Sequence, residues 1–158
     1  MPSITPCLWF DKTALEAAEF YCSIFPNSRI LEIQRSPMDN PSQKAGEILT
    51  VEFELDGHRI TGLNGGPDFA FSEAVSLQID CADQAEVDHY WDALTEGGEE
   101  SVCGWLKDRY GLSWQVVPRR LGELLAHPDA DVARRAGEAM LEMRRLDVAA
   151  IERAAFGD

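Results

Sequence analysis

The sequence predicts an α+β fold built from two strand-helix-strand-strand-strand (βαβββ) modules followed by C-terminal helices. Three observations carry that prediction. A helix signature recurs at an offset of 70 residues, short alternating strand patterns surround each copy, and helical periodicity takes over from about Leu121.

Ile4 to Phe10 reads as the first strand. Thr13-x-x-Glu16 then opens a helix over 13–25, with Ala14, Ala17, Ala18, Tyr21, Ile24 and Phe25 at helical spacing. The Thr-x-x-Glu pair is a capping box: the first side chain accepts from an orphan amide and the glutamate reaches back. Strands follow at Arg29 to Arg35, Glu47 to Leu55 and His58 to Leu63, the last two joined by Asp56-Gly57, which tolerates the positive φ of a tight hairpin. Ser36 to Lys44 is rich in turn formers and reads as a mobile surface loop.

The pattern restarts at Val75 to Asp80. Asp83-x-x-Glu86 opens a helix over 84–96 with Val87, Tyr90, Trp91 and Leu94, and Phe20, Tyr21 and Ile24 match Tyr90, Trp91 and Leu94 at the same offset. Strands are expected over Glu100 to Lys107 and Leu112 to Pro118. Asp129 and Asp147 are candidate caps for helices around 130–145 and 148–155, where Arg134-Arg135 and Arg144-Arg145 alternate with glutamates as a solvated helix face. The organisation is thus a paired-module domain over 1–120, with module one about 1–68 and module two about 69–120, and a helical extension over 121–158 packed on it.

At 158 residues, with 45% apolar side chains and four tryptophans, the chain can bury one core. Acidic residues outnumber basic ones 28 to 14, and a net charge of −14 repels nucleic acid and anionic lipid, so neither is an expected partner. No apolar run approaches the roughly 18 residues of a membrane span, and Met1-Pro2-Ser3-Ile4 has no signal-peptide pattern, so a cytoplasmic location is expected. Cys7, Cys22, Cys81 and Cys103 form no Cys-x-x-Cys pair and read as buried reduced thiols.

Ile4-Thr-Pro-Cys-Leu-Trp-Phe10, Phe20-Tyr21, Phe25-Pro-Asn-Ser28, Leu63-Asn-Gly-Gly-Pro67, Glu96-Gly-Gly-Glu99, Gly104-Trp-Leu-Lys-Asp108 and Gly111-Leu-Ser-Trp-Gln-Val-Val-Pro118 follow one another in order. Together they resemble the PhnB-like branch of the vicinal oxygen chelate (glyoxalase/bleomycin-resistance) superfamily, over essentially the whole chain. The resemblance implies a glyoxalase-like fold, its curved mixed sheets surrounding a concave pocket, in a homodimer. It also brings a demethylubiquinone methyltransferase-like label, which no glycine-rich strand-to-helix loop supports. Active superfamily members hold a divalent metal through histidines on the first strand of each module and glutamates on the last strands. Here His58 follows a hairpin turn, His89 is on the second helix and His127 precedes Pro128, none of them on a pocket-facing strand, and Gln115 stands where the last glutamate is expected, so neither metal nor cofactor is expected.

Strand parity places Ser76 and Gln78 opposite Val75, Leu77 and Ile79; Cys7 and Trp9 opposite Leu8 and Phe10; and Ser113 and Gln115 opposite Trp114 and Val116. The polar face is the one that would line a pocket, and Trp9, Asn64, Ser76 and Gln115 are the candidate ligand contacts. Trp9, Trp105 and Trp114 are candidates for an aromatic wall, with core packing the commoner fate. Leu63 to Pro67 runs on into Asp68 instead of a helix and reads as an irregular turn, and Asp68 as an exposed loop carboxylate. Two functions follow from this face and the resemblance. One is metal-independent binding of a small, uncharged or cationic aromatic molecule; the other is a lyase, isomerase or dioxygenase with a non-standard divalent metal site.

Overall fold

The structure is a computed structural model that describes residues 1–157, and it divides into two compact units, 1–71 and Ser72 onward. The first contains β1 (Cys7–Phe10), α1 (Ala14–Ile24), β2 (Arg29–Arg35), β3 (Ile48–Leu55) and β4 (His58–Asn64). Its sheet order is β1-β4-β3-β2, with β1 parallel to β4 and the other pairs antiparallel. The second unit repeats the plan with β5 (Ser76–Cys81), α2 (Gln84–Thr95), β6 (Glu99–Glu100), β7 (Trp105–Lys107) and β8 (Ser113–Pro118), in the order β5-β8-β7-β6 with β5 parallel to β8. It ends in α3 (Arg119–Leu125), α4 (Ala130–Leu141) and α5 (Val148–Phe156). The offset of 70 residues is therefore one topology used twice.

Alternation decides which face of each sheet its helix covers. In the first unit Leu8, Phe10, Val51, Phe53 and Leu55 are buried together with Ala17, Ala18, Tyr21 and Ile24 of α1, and the Tyr21 ring stacks on Phe53 at 6.3 Å. In the second, Val87, Trp91 and Leu94 of α2 are buried, as are Leu106, Trp114 and Val116 of the sheet. Each of the valine-, leucine- and phenylalanine-sized side chains among these contributes about 1.5–3 kcal/mol on burial, so parity errors in these strands are costly.

Several expectations are corrected. Thr13 makes no capping hydrogen bond; the first amide of α1, at Ala14, donates instead to Asn64 Oδ1 at 2.9 Å. The Asp83 box does form, Asp83 Oδ1 accepting from the Glu86 amide at 3.0 Å, but Glu86 reaches back to the amide of Ala82. Asp129 and Asp147 cap α4 and α5 as expected. The 36–47 loop is tied down rather than loose, because its polar side chains satisfy its own backbone: Asn40 Oδ1 accepts from the amides of Ser42 and Gln43, the Ser36 amide donates to Glu47 O, and buried Gln43 donates to the Asn64 carbonyl.

The strand expected over 100–107 breaks at 101–104, where Cys103 and Gly104 have φ of 58° and 83°. Helix α4 stops at Leu141, so Arg144 and Arg145 sit on a non-helical connection, and Arg145 pairs with Asp92 at 2.6 Å and Asp88 at 3.3 Å. Of the four free cysteines only Cys81 is buried; Cys7 is exposed because it occupies the strand face opposite Leu8. None of the described helices is long and apolar enough to cross a membrane.

Candidate functional site

The strand register of the second unit lays out an open face in two rows. One row runs Ser76, Ser113, Lys107, Glu99 and the next Gln78, Gln115, Trp105. Gln115 Nε2 donates to Ser76 Oγ at 2.9 Å and Gln78 Nε2 donates to Gln115 Oε1 at 3.2 Å, so two candidate contacts, Ser76 and Gln115, are brought together. Beside them lies a cavity of about 450 Å³ lined by Glu73, Glu99, Cys103, Trp105, Lys107 and Ser113, among others. Ser113 is only 1% exposed, and among the described residues its hydroxyl has no hydrogen-bond partner. A buried hydroxyl in that state costs free energy unless something entering the cavity satisfies it. Lys107 bridges Glu73; its hydrogen bond holds the Glu73 carboxyl below the usual carboxylate range and the lysine above its own.

Trp114 faces the other way. Its Nε1 donates to Asp108 Oδ2 at 2.8 Å, while Asp108 Oδ1 accepts from the amides of Tyr110 and Leu112, so this buried carboxylate ties the β7–β8 turn to the core indole. Trp105 alone of that pair is on the cavity side.

Trp9 and Asn64 belong to the first unit. The Trp9 indole donates to Gly66 O at 2.9 Å and meets Phe69 edge-on at 4.9 Å. A Cβ on Gly65 would fall 2.3 Å from the Trp9 ring and Gly66 has φ of 103°, so the glycine pair of the Leu63–Pro67 turn exists to let the backbone pass the indole. Asn64 is 6% exposed, and its amide is engaged within the unit, accepting from Ala14 and donating to Ile48 O at 3.0 Å. Asp68 is exposed.

Sequence reasoning missed a second row in this unit. Cys7, Thr61 and Glu52 are register partners across three strands; Thr61 Oγ1 donates to Glu52 Oε1 at 2.7 Å and Arg59 Nε to Glu52 Oε2 at 3.2 Å. Partial desolvation against the sheet, then the Glu52 charge, push the Cys7 thiol up. The signal was the Thr-x-Glu-x-Glu alternation at 50–54, opposite the apolar positions 51, 53 and 55.

The repeated topology and the motif order have their counterpart in known proteins. Residues 2–117 match the family described as 3-demethylubiquinone-9 3-methyltransferase, well over half of the chain. The chain belongs to this family, in its PhnB-like form. The PhnB protein of Bacillus cereus is 31% identical, with a TM-score of 0.67 over 74% of this chain and 99% of that one. Protein PA1353 of Pseudomonas aeruginosa shares the fold at 19% identity, with a TM-score of 0.62 over 75% of this chain and 98% of that one. The fosfomycin resistance protein FosX of Listeria monocytogenes, whose structure holds Mn(II) and sulfate, shares it at 16% identity, with a TM-score of 0.50 over 74% and 89%. No protein of curated function matches the chain in sequence. The family match ends at residue 117, so α3, α4 and α5 lie beyond it.

The glyoxalase-like fold of this family raises the question of a metal. On the open faces of the paired first and last strands the donors are Cys7 beside Thr61 in one unit, and Ser76, Gln78, Ser113, Gln115 and Asp80 in the other, the one carboxylate among them, Asp80, being paired with Arg119 at 2.8 Å. Neutral amides and hydroxyls are weak ligands for first-row divalent ions, and a thiol whose pKa is raised resists the deprotonation that metal binding needs. Among the described residues no three His, Cys, Asp or Glu side chains group into a metal site. The donor set does not fit the group.

Proposed function

We propose that this PhnB-like protein binds a small cationic aromatic molecule without a metal, in the second unit's cavity beside Ser76 and Gln115. The observation that carries the reading is the buried Ser113 hydroxyl at the wall of that cavity, which has no partner among the described residues. Pockets of this kind combine an apolar wall with a few convergent polar groups. Trp105 supplies a π face, and Glu73, Glu99 and Glu100 against the single Lys107 leave the lining acidic, which favours a cation.

The test is calorimetric titration with phenethylammonium, which carries one ring and one ammonium. Ser113→Ala separates binding from folding: removing a hydroxyl that none of the described residues satisfies leaves stability unchanged or higher, while affinity falls about two- to twelvefold, the worth of one neutral hydrogen bond. Gln115→Leu lowers affinity by a similar factor. Equal binding by wild type and Ser113→Ala refutes the assignment. Stoichiometric binding of Mn(II) in a parallel titration would move the reading to an enzyme of the same fold.

The reading extends to a homodimer in the cytoplasm. Edge strand β2 leaves its outer hydrogen-bonding side unpaired in the sheet and exposes Leu31 and Ile33, which supports pairing with a second copy, and four free thiols suit a reducing compartment. Sedimentation showing only the 17.6 kDa species at micromolar concentration would refute the dimer.

A further inference from the structure

The helices beyond the family match form a core of their own, with Leu121, Leu124, Val132, Leu146 and Ile151 buried together. Between α4 and α5 the chain runs as a non-helical strap, 142–147, alongside the break in the sheet at 101–104. There the Cys103 amide donates to Met143 O and the Gly104 amide to Arg144 O, both at 2.8 Å. These two left-handed residues are out of strand geometry, so their amides take from the strap the acceptors that a regular ladder would have supplied. The contact is too close for any side chain at 104, where a Cβ would lie 2.9 Å from Leu146 Cδ1 and 2.9 Å from Val116 O.

The strap is held in turn by α2. Gln84 Nε2 donates to Leu146 O at 3.0 Å and its Oε1 accepts from the Val148 amide at 2.8 Å, one side chain spanning the strap's end. The loop so fixed is a wall of the cavity, through Ser101, Val102, Cys103 and the adjoining Trp105.

We propose that the 142–147 strap is a positioning element for the cavity, with Leu146 and Gln84 as the residues that set where the 101–105 wall stands. Its ligand arm rests on the binding reading above; its structural arm does not. Because the two are linked, an occupant that needs the wall in place also tightens the strap.

The test compares wild type, Leu146→Ala, Gln84→Ala and the volume-conserving Leu146→Met in the full chain. Without ligand, amide exchange at Cys103 and Gly104 should quicken about tenfold in Leu146→Ala and less in Gln84→Ala, while the Val51 amide of the first unit stays as it was. The Trp105 indole resonance should move in the same order, phenethylammonium affinity should fall about three- to tenfold, and Leu146→Met should restore all three. If Leu146→Ala fails to fold, Gln84→Ala carries the comparison, since it cuts three hydrogen bonds of a partly exposed side chain, two of them at the strap's end and one to Asp88 within α2. Unchanged exchange and an unmoved indole overturn the proposal, and so does faster exchange with wild-type affinity. If wild type does not bind phenethylammonium, the binding reading fails, and exchange with the indole shift still decides the strap.

Discussion

Replacing Asn64 with alanine removes two hydrogen bonds from one buried side chain. Its Oδ1 accepts from the Ala14 amide, which opens α1, and its Nδ2 donates to the Ile48 carbonyl at the start of β3. Loss of a helix cap costs about 1 kcal/mol and loss of the second bond about 0.5–1.5 kcal/mol, so Asn64→Ala should destabilise the protein by about 2 kcal/mol. Thr13→Ala, at the residue that the local pattern nominates as the cap, should cost under about 0.5 kcal/mol, because its side chain makes no capping bond. Urea unfolding followed by circular dichroism reads both. With an m-value near 2 kcal/mol/M the midpoint of Asn64→Ala should fall by about 1 M while that of Thr13→Ala barely moves. Equal losses in the two variants, or a larger one at Thr13, would refute the argument that the cap comes from across the sheet.

Asp108→Asn should cost about 2–4 kcal/mol by the same assay, since an amide cannot accept from Tyr110, Leu112 and the Trp114 indole together and must turn a donor toward one of them; a loss below about 1 kcal/mol would contradict this. The Cys81 thiol is pushed up to about 12, first by burial and then by Glu86, Asp80 and Asp83. In the unfolded chain a cysteine ionises near about 8.5, so above that pH the unfolded state loses its proton first and stability falls as pH rises toward the folded value. Cys81→Ala should flatten the decline between about pH 9 and 11, read by urea midpoints across pH, and an unaltered slope would exclude Cys81 as its source.

How far the sequence reaches depends on the range of the interaction concerned. Strand parity is local, a consequence of side chains alternating across a pleat, so Leu8 and Phe10 against Cys7 and Trp9, and Ser76 and Gln78 against Leu77 and Ile79, were legible from residue order alone. The repeat was legible for the same reason: each copy must bury one helix face on one sheet face, and α1 and α2 meet that requirement with matched positions. Family membership followed from motifs in order, although the match stops short of the tail.

What tertiary structure alone decided were contests between equally eligible partners. Thr13 and Asn64 can both cap α1, and the parallel pairing of β1 with β4 brings the end of β4 to the helix start, which hands the role to Asn64. Trp105 and Trp114 are both plausible pocket walls, and a buried Asp108 claims the second. Arg145 fits a solvated helix as well as it fits Asp88 and Asp92 of α2, until α4 stops at Leu141 and frees the strap to cross. Ser113 shows no distinguishing mark in the sequence; its unanswered hydroxyl exists only once the strands and the 101–105 wall close around it, because a donor's satisfaction depends on every atom within about 3 Å and not on its neighbours in the chain.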